Sequence, residues 1–137
     1  MTTEQAKERL ERYAGIKLEQ NNRLRKLAQL QQKDITAPAS YSRSEEYARQ
    51  IAPVIQSNRR EMAEIERAVS VLDDPLEREV LRLRYHCCPW ETPCARLLSW
   101  KENALRLYDD TSEAAVYRAI RLHKKALTHL ANVITKN

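Results

Sequence analysis

The sequence predicts an all-α protein. Three observations carry that expectation. Leu, Ala, Glu, Arg, Lys and Gln dominate the chain, and all of them favour helices. A single glycine, Gly15, and five prolines leave too few turn residues for a hairpin-rich sheet. Apolar residues recur every three or four positions over long stretches, which is a helical period. At 137 residues the chain makes one domain, or one domain with an appendage. A chain of this size buries a modest core, about 68% of its unfolded surface.

The first element runs from Thr2 to about Gln32. Leu10, Tyr13, Leu24 and Leu27 share one stripe, and Leu30 closes it. Lys17 and Gln20 fall where that stripe should be apolar, so the seam is thin, as in a coiled coil with a weak middle. Residues 33–44 hold Pro38 and three serines without a period and read as a linker. At twelve residues it lets the next helix run back along the first.

The second element spans about Glu45 to Leu72. Tyr47, Ile51, Val54, Met62, Ile65, Val69 and Leu72 make the best heptad stripe in the chain, with Asn58 as its polar member. Asn58 is expected to reach solvent at the rim, the alternative being a buried asparagine that fixes register or strand number. Pro53 removes a helical hydrogen bond, which predicts a kink or a fresh start there. Asp74-Pro75-Leu76-Glu77 then marks a boundary. It supplies a capping carboxylate, a proline at the first helical position and a glutamate two residues later. The resulting helix, Pro75 to Tyr85, is expected to bury Leu76, Val80 and Leu83, with Leu81 a further candidate. Residues 86–98 interrupt with Pro89 and Pro93. A short helix around Trp100–Leu107 and a long one from Thr111 to about Ile134 complete the chain. The expected organisation is a helical hairpin, residues 1–73, followed by a second domain, residues 74–137.

Charge is distributed unevenly. Residues 1–74 carry 13 basic and 12 acidic side chains, whereas residues 75–137 carry 11 and 7. From Thr111 onward Arg118, Arg121, Lys124, Lys125 and Lys136 face Glu113 alone. A positive field on the last helix points to a polyanion such as nucleic acid, against the plainer alternative of a solvated cationic surface. No apolar run reaches the roughly 18 residues of a membrane span, so no membrane partner is expected. The charged first twenty residues give no secretory signal. Three cysteines, two of them adjacent at Cys87-Cys88, make a poor disulfide framework and suit a reducing cytoplasm.

The last two elements have the outline of a helix-turn-helix. Ala104 is the small residue that lets two helices approach, and Trp100 and Leu107 are its apolar anchors. Asp110 is the expected cap of the second helix, with Glu113 three residues on. The inward stripe of that helix is read as Val116, Ile120, His123, Leu127, Leu130 and Ile134. Its outward face then offers Ser112, Ala115, Arg118 and Arg121 to base edges, with Lys124 and Lys125 further along for phosphate. His123, on the apolar stripe, is expected to be a packed core histidine, and His129 to be exposed. The competing reading is an ordinary antiparallel helix pair with a charged outer face.

A resemblance adds to this. The run Asp74-Pro75-Leu76-Glu77-Arg78-Glu79-Val80-Leu81-Arg82-Leu83-Arg84-Tyr85 resembles the opening helix of sigma-factor region four. More specifically, it looks like the sigma-like regulators of phages and prophages of Gram-positive bacteria, the ArpU/RinA-like group. Trp100-Lys101-Glu102 with Ala104 and Leu107 resembles that group's first motif helix. Val116-Tyr117-Arg118 with His123-Lys124-Lys125-Ala126-Leu127 resembles its recognition helix. The likeness covers roughly residues 60–130. It implies a DNA-binding transcription regulator of phage or prophage genes, working on double-stranded DNA in the cytoplasm of a bacterial host. The hairpin is then expected to mediate homo-oligomerisation or contact with another protein such as RNA polymerase. Three features depart from the pattern. Residues 86–98 read as an insertion. The turn at Tyr108–Thr111 is about two residues longer than usual, with Tyr108 where glycine is common. Asn103 stands at a normally apolar position.

Two other functions compete: a helical scaffold whose sigma-like domain binds protein, and a component of phage DNA packaging. An enzyme is not expected, because no Gly-rich phosphate loop, nucleophile elbow or zinc-protease helix is present. No cofactor is implied. His86, Cys87, Cys88 and Cys94 are four possible zinc ligands, but adjacent cysteines suit one tetrahedral ion poorly and no paired Cys-x-x-Cys occurs. Free thiols are the preferred reading, with Trp90 as a lid on the core.

Overall fold

A computed structural model describes residues 1–86 and 97–136 of the chain. Its elements are α1 (Thr3–Thr36), α2 (Arg43–Ser70), α3 (Pro75–Tyr85), α4 (Trp100–Tyr108) and α5 (Glu113–Lys136). No strand occurs among the described residues, and the protein is all-α. None of their helices is long and apolar enough to cross a membrane. Cys87, Cys88, Cys94 and Trp90, named above as thiols and lid, lie outside the described residues.

Helix α1 opens on a reciprocal cap. The Thr2 hydroxyl accepts the Gln5 N–H, and the Gln5 side chain accepts the Thr2 N–H. The helix runs one turn past its expected end at Gln32, and the linker shrinks to residues 37–42. The cause is Asp34. Its Oδ1 accepts the Arg43 N–H, and its Oδ2 accepts the Ser44 N–H and the hydroxyls of Ser42 and Ser44. The Arg43 guanidinium adds a bond to the Ala37 carbonyl. One carboxylate thus clamps the start of α2 to the end of α1.

α2 then runs back along α1. Arg9 pairs with Glu64 at 3.1 Å, Arg12 pairs with Glu61, and the Tyr13 hydroxyl donates to Glu66 at 3.0 Å. The helix is continuous through Pro53, so of the kink or fresh start expected there, the fresh start does not occur. Pro53 lies on an exposed face, so the carbonyl freed by its missing N–H is open to water.

The base of this hairpin shares one core with the rest of the chain. Ala6, Leu10 and Tyr13 of α1 and Ile65, Ala68 and Val69 of α2 pack with Val80, Leu81 and Tyr85 of α3 and with Ala126, Leu127 and Leu130 of α5. The core therefore crosses the boundary that the sequence suggests at residue 73. Between residues 18 and 64 only Ile51 is buried. That stretch forms an arm extending from the core, with Leu24 half exposed.

Helix α3 has the bounds its cap predicts. Asp74 accepts the Leu76 N–H at 2.9 Å, and Pro75 takes the first helical position. Its inward face differs from expectation. Leu76 is 46% exposed, whereas Glu77 is 2% exposed. Packing of Val80 and Leu81 sets the helix phase and turns Glu77 inward, where its carboxylate meets His129 Nδ1 at 2.7 Å. The ring of His129 remains largely exposed, as expected. A negative charge in the first turn also suits the helix dipole. At the other end His86 adopts the left-handed conformation, φ 58°, and its carbonyl accepts a 2.6 Å bond from Lys17 Nζ. Lys17 is thus not a flaw in the α1 stripe. It is buried over the Tyr13 ring and places a cation at the negative end of α3.

Candidate nucleic-acid interface

Helix α4 starts at a cap formed by Ser99 and Glu102. The Ser99 hydroxyl accepts the Glu102 N–H, and the Glu102 carboxylate receives the Ser99 N–H. Asn103 is fully buried in it. Its Nδ2 donates to the carbonyls of Leu98 and Ser99, at 3.2 and 2.8 Å, which fixes the chain entering the helix. That is the use of a polar residue where an apolar one is usual.

α4 meets α5 through small residues. Ala104, Ala115 and Ala119 are buried against one another, rimmed by Trp100, Leu107, Tyr108 and Val116. With only methyl groups between them the two helices can approach closely, as Ala104 predicted. The other half of the contact corrects the sequence reading. Ala115, placed above on the outward face, is 2% exposed beneath α4 and is unavailable to a ligand. Val116 and Ile120, read as the inward stripe, are only half-buried.

The start of α5 differs from expectation as well. Asp110 does not open α5. Its Oδ1 accepts the Ser112 N–H at 2.8 Å, and the Ser112 hydroxyl accepts the Ala115 N–H at 3.2 Å. Ser112 is therefore the capping residue, and its hydroxyl is committed to the helix start. Bonding to Ser112, with the Arg118 charge nearby, holds the Asp110 carboxyl below its usual range. The left-handed residue of the turn is Asp109, φ 53°, one place beyond the Tyr108 position expected for it. Aspartate tolerates this conformation better than a bulky side chain. Tyr108 is instead the last residue of α4 and offers its ring to Arg118, whose guanidinium lies 4.4 Å from the ring centroid.

Behind the interface a chain of rings joins three helices. The Arg84 guanidinium of α3 stacks on Trp100 of α4 at 4.5 Å. Trp100 meets His123 of α5 edge-on at 4.8 Å, and His123 Nε2 lies 2.6 Å from the Tyr85 hydroxyl of α3. His123 is the packed core histidine expected. Burial first, then the charges of Arg84 and Lys7, push its pKa down to about 4.

On the solvent side, Arg118, Arg121, Lys124 and Lys125 line one groove with Tyr108 and Leu122. All four cations are exposed. Arg121 and Lys124 face away from the alanine contact, Arg118 leans toward the turn, and Lys125 also borders a hollow lined by Asp73, Asp74 and Glu77. Tyr117, 64% exposed one turn before Arg121, was named in the run that resembles a recognition helix but not as a contact residue. Its signal was there, as an aromatic placed at i−4 from a cation on an outward face. Tyr108 was also missed as an interface residue, because a cation–π contact across a turn depends on the turn's geometry. Among the described residues no group of His, Cys, Asp and Glu could hold a metal ion. No protein family, no curated protein and no solved structure matches the chain.

Proposed function

We propose that this protein is a sequence-specific DNA-binding regulator of transcription, of the phage or prophage kind its sequence resembles. α5 acts as the recognition helix. Arg121, Lys124 and Tyr117 lie on its outward face and enter the major groove, while Arg118, steadied by Tyr108, works beside the turn. Lys124 and Lys125 contact phosphate. The observation that carries this reading is the pairing of an alanine-packed helix-turn-helix with four exposed cations on the second helix.

The test is binding by fluorescence anisotropy. Duplexes enriched from a random pool by the wild-type protein are compared with scrambled ones of equal length. Specific binding predicts preference for the enriched sequence, lost in Arg121→Ala. Equal affinity for both, unchanged by the substitution, would count against it.

A further inference from the structure

We infer that the face of α2 centred on Ala52 is a two-fold interface between two copies of this chain. The arm leaves an apolar groove open along α2, lined by Leu27, Ala48, Ala52, Ile55 and Arg59 among others. Glu45 continues the same helical face one turn before Ala48. The occupant is identified by the charges that bound this face. Glu45 and Arg59 each lie seven residues from Ala52, on opposite sides of it. Both are exposed, and among the described residues neither forms an ion pair. They stand about 21 Å apart along the helix.

A two-fold axis through Ala52 sets two α2 helices antiparallel. It brings Glu45 of each copy opposite Arg59 of the other, and the pair is made twice. Between these ends the contact is made by Ala48 and Ala52, small enough for backbones to approach, with Ile55 beside them. An isologous contact needs this self-complementarity, in which one patch serves both sides. A foreign partner would not require opposite charges at equal distances from one central alanine.

The experiment reads molar mass, so it is independent of DNA binding. Full-length protein is examined by light scattering after size exclusion at micromolar concentration, in low and high salt. Wild type is expected at twice the 16.0 kDa of one chain. Glu45→Arg and Arg59→Glu alone should each give the monomer mass, and the doubly reversed protein should return to the dimer. Ala52→Arg should give monomer in every background. All these positions are solvent-exposed, and circular dichroism checks that the helices persist. A monomeric wild type, a dimer indifferent to the reversals, a double reversal that stays monomeric, or a larger open assembly would each overturn the inference.

Discussion

The Tyr85 hydroxyl lies 2.6 Å from Nε2 of His123, joining α3 to α5 inside the core. The imidazole is kept neutral there, with its pKa lowered to about 4 from an ordinary 6.5. The folded value is the lower one, so as pH falls the unfolded chain takes up the proton first. The contribution of His123 is fully present above pH 6.5 and is lost as pH falls from about 6.5 to about 4, by up to about 3 kcal/mol. Urea unfolding at pH 7 and 4.5 measures it. His123→Gln should be less stable than wild type at pH 7 but lose less between the two values.

Asp34 titrates in a different window. Its pKa is lowered to about 2 from 3.8, chiefly by the Ser44 hydroxyl and N–H, with Arg43 and Ser42 adding to them. A depressed carboxylate contributes stability above its unfolded value and loses it as pH falls toward the folded one, here from about 3.8 to about 2. Asp34→Ala should remove this dependence. It should also open the hairpin turn, seen as faster amide exchange and protease cleavage within residues 37–44, while α3 to α5 stay protected. Unchanged exchange there would show that the clamp is not needed.

The alanine contact between α4 and α5 separates two accounts of one residue. If Ala115 lay on an exposed face, Ala115→Arg would leave stability nearly unchanged and strengthen binding to any polyanion. Because it is buried under Ala104, the substitution should disrupt the motif and lower the melting temperature sharply. Ala104→Leu, a purely steric change, should cost about 1–3 kcal/mol by overpacking.

What could be read from the chain was what local chemistry decides. The bounds of α3 follow from Asp74 and Pro75, and the small residue of the motif is Ala104 itself. The readings that failed depend on partners distant in sequence. Helix α1 ends late because Asp34 finds Ser42 and Ser44. Glu77, carried inward by the packing of Val80 and Leu81, finds its partner in His129, 52 residues on. On α5 the exposed Arg118 and Arg121 and the buried His123, Leu127, Leu130 and Ile134 were read correctly, but Ala115 was misplaced because its burial depends on Ala104 of α4. Lys17 looked like a defect because the carbonyl it serves, that of His86, is 69 residues away.

That last bond is testable. Lys17→Met keeps the apolar stem over Tyr13 but removes the donor to a buried carbonyl. The cost should be about 1–3 kcal/mol by urea denaturation, with α3 showing increased amide exchange at its C-terminal end. A variant as stable as wild type would contradict the assigned role.

The most direct test of the account is the salt dependence of DNA binding for wild type, Arg121→Ala, Lys124→Ala and Ala114→Ser, the last a neutral change on the same helix face. If α5 is the recognition helix, affinity falls steeply with salt, and each lost phosphate contact reduces the log–log slope by about 1. Lys124→Ala should weaken binding to all sequences alike, Arg121→Ala should also erode preference for the enriched duplex, and Ala114→Ser should leave the slope unchanged. Weak binding that is equal for enriched and scrambled duplexes, with the same slope in all four proteins, would contradict it.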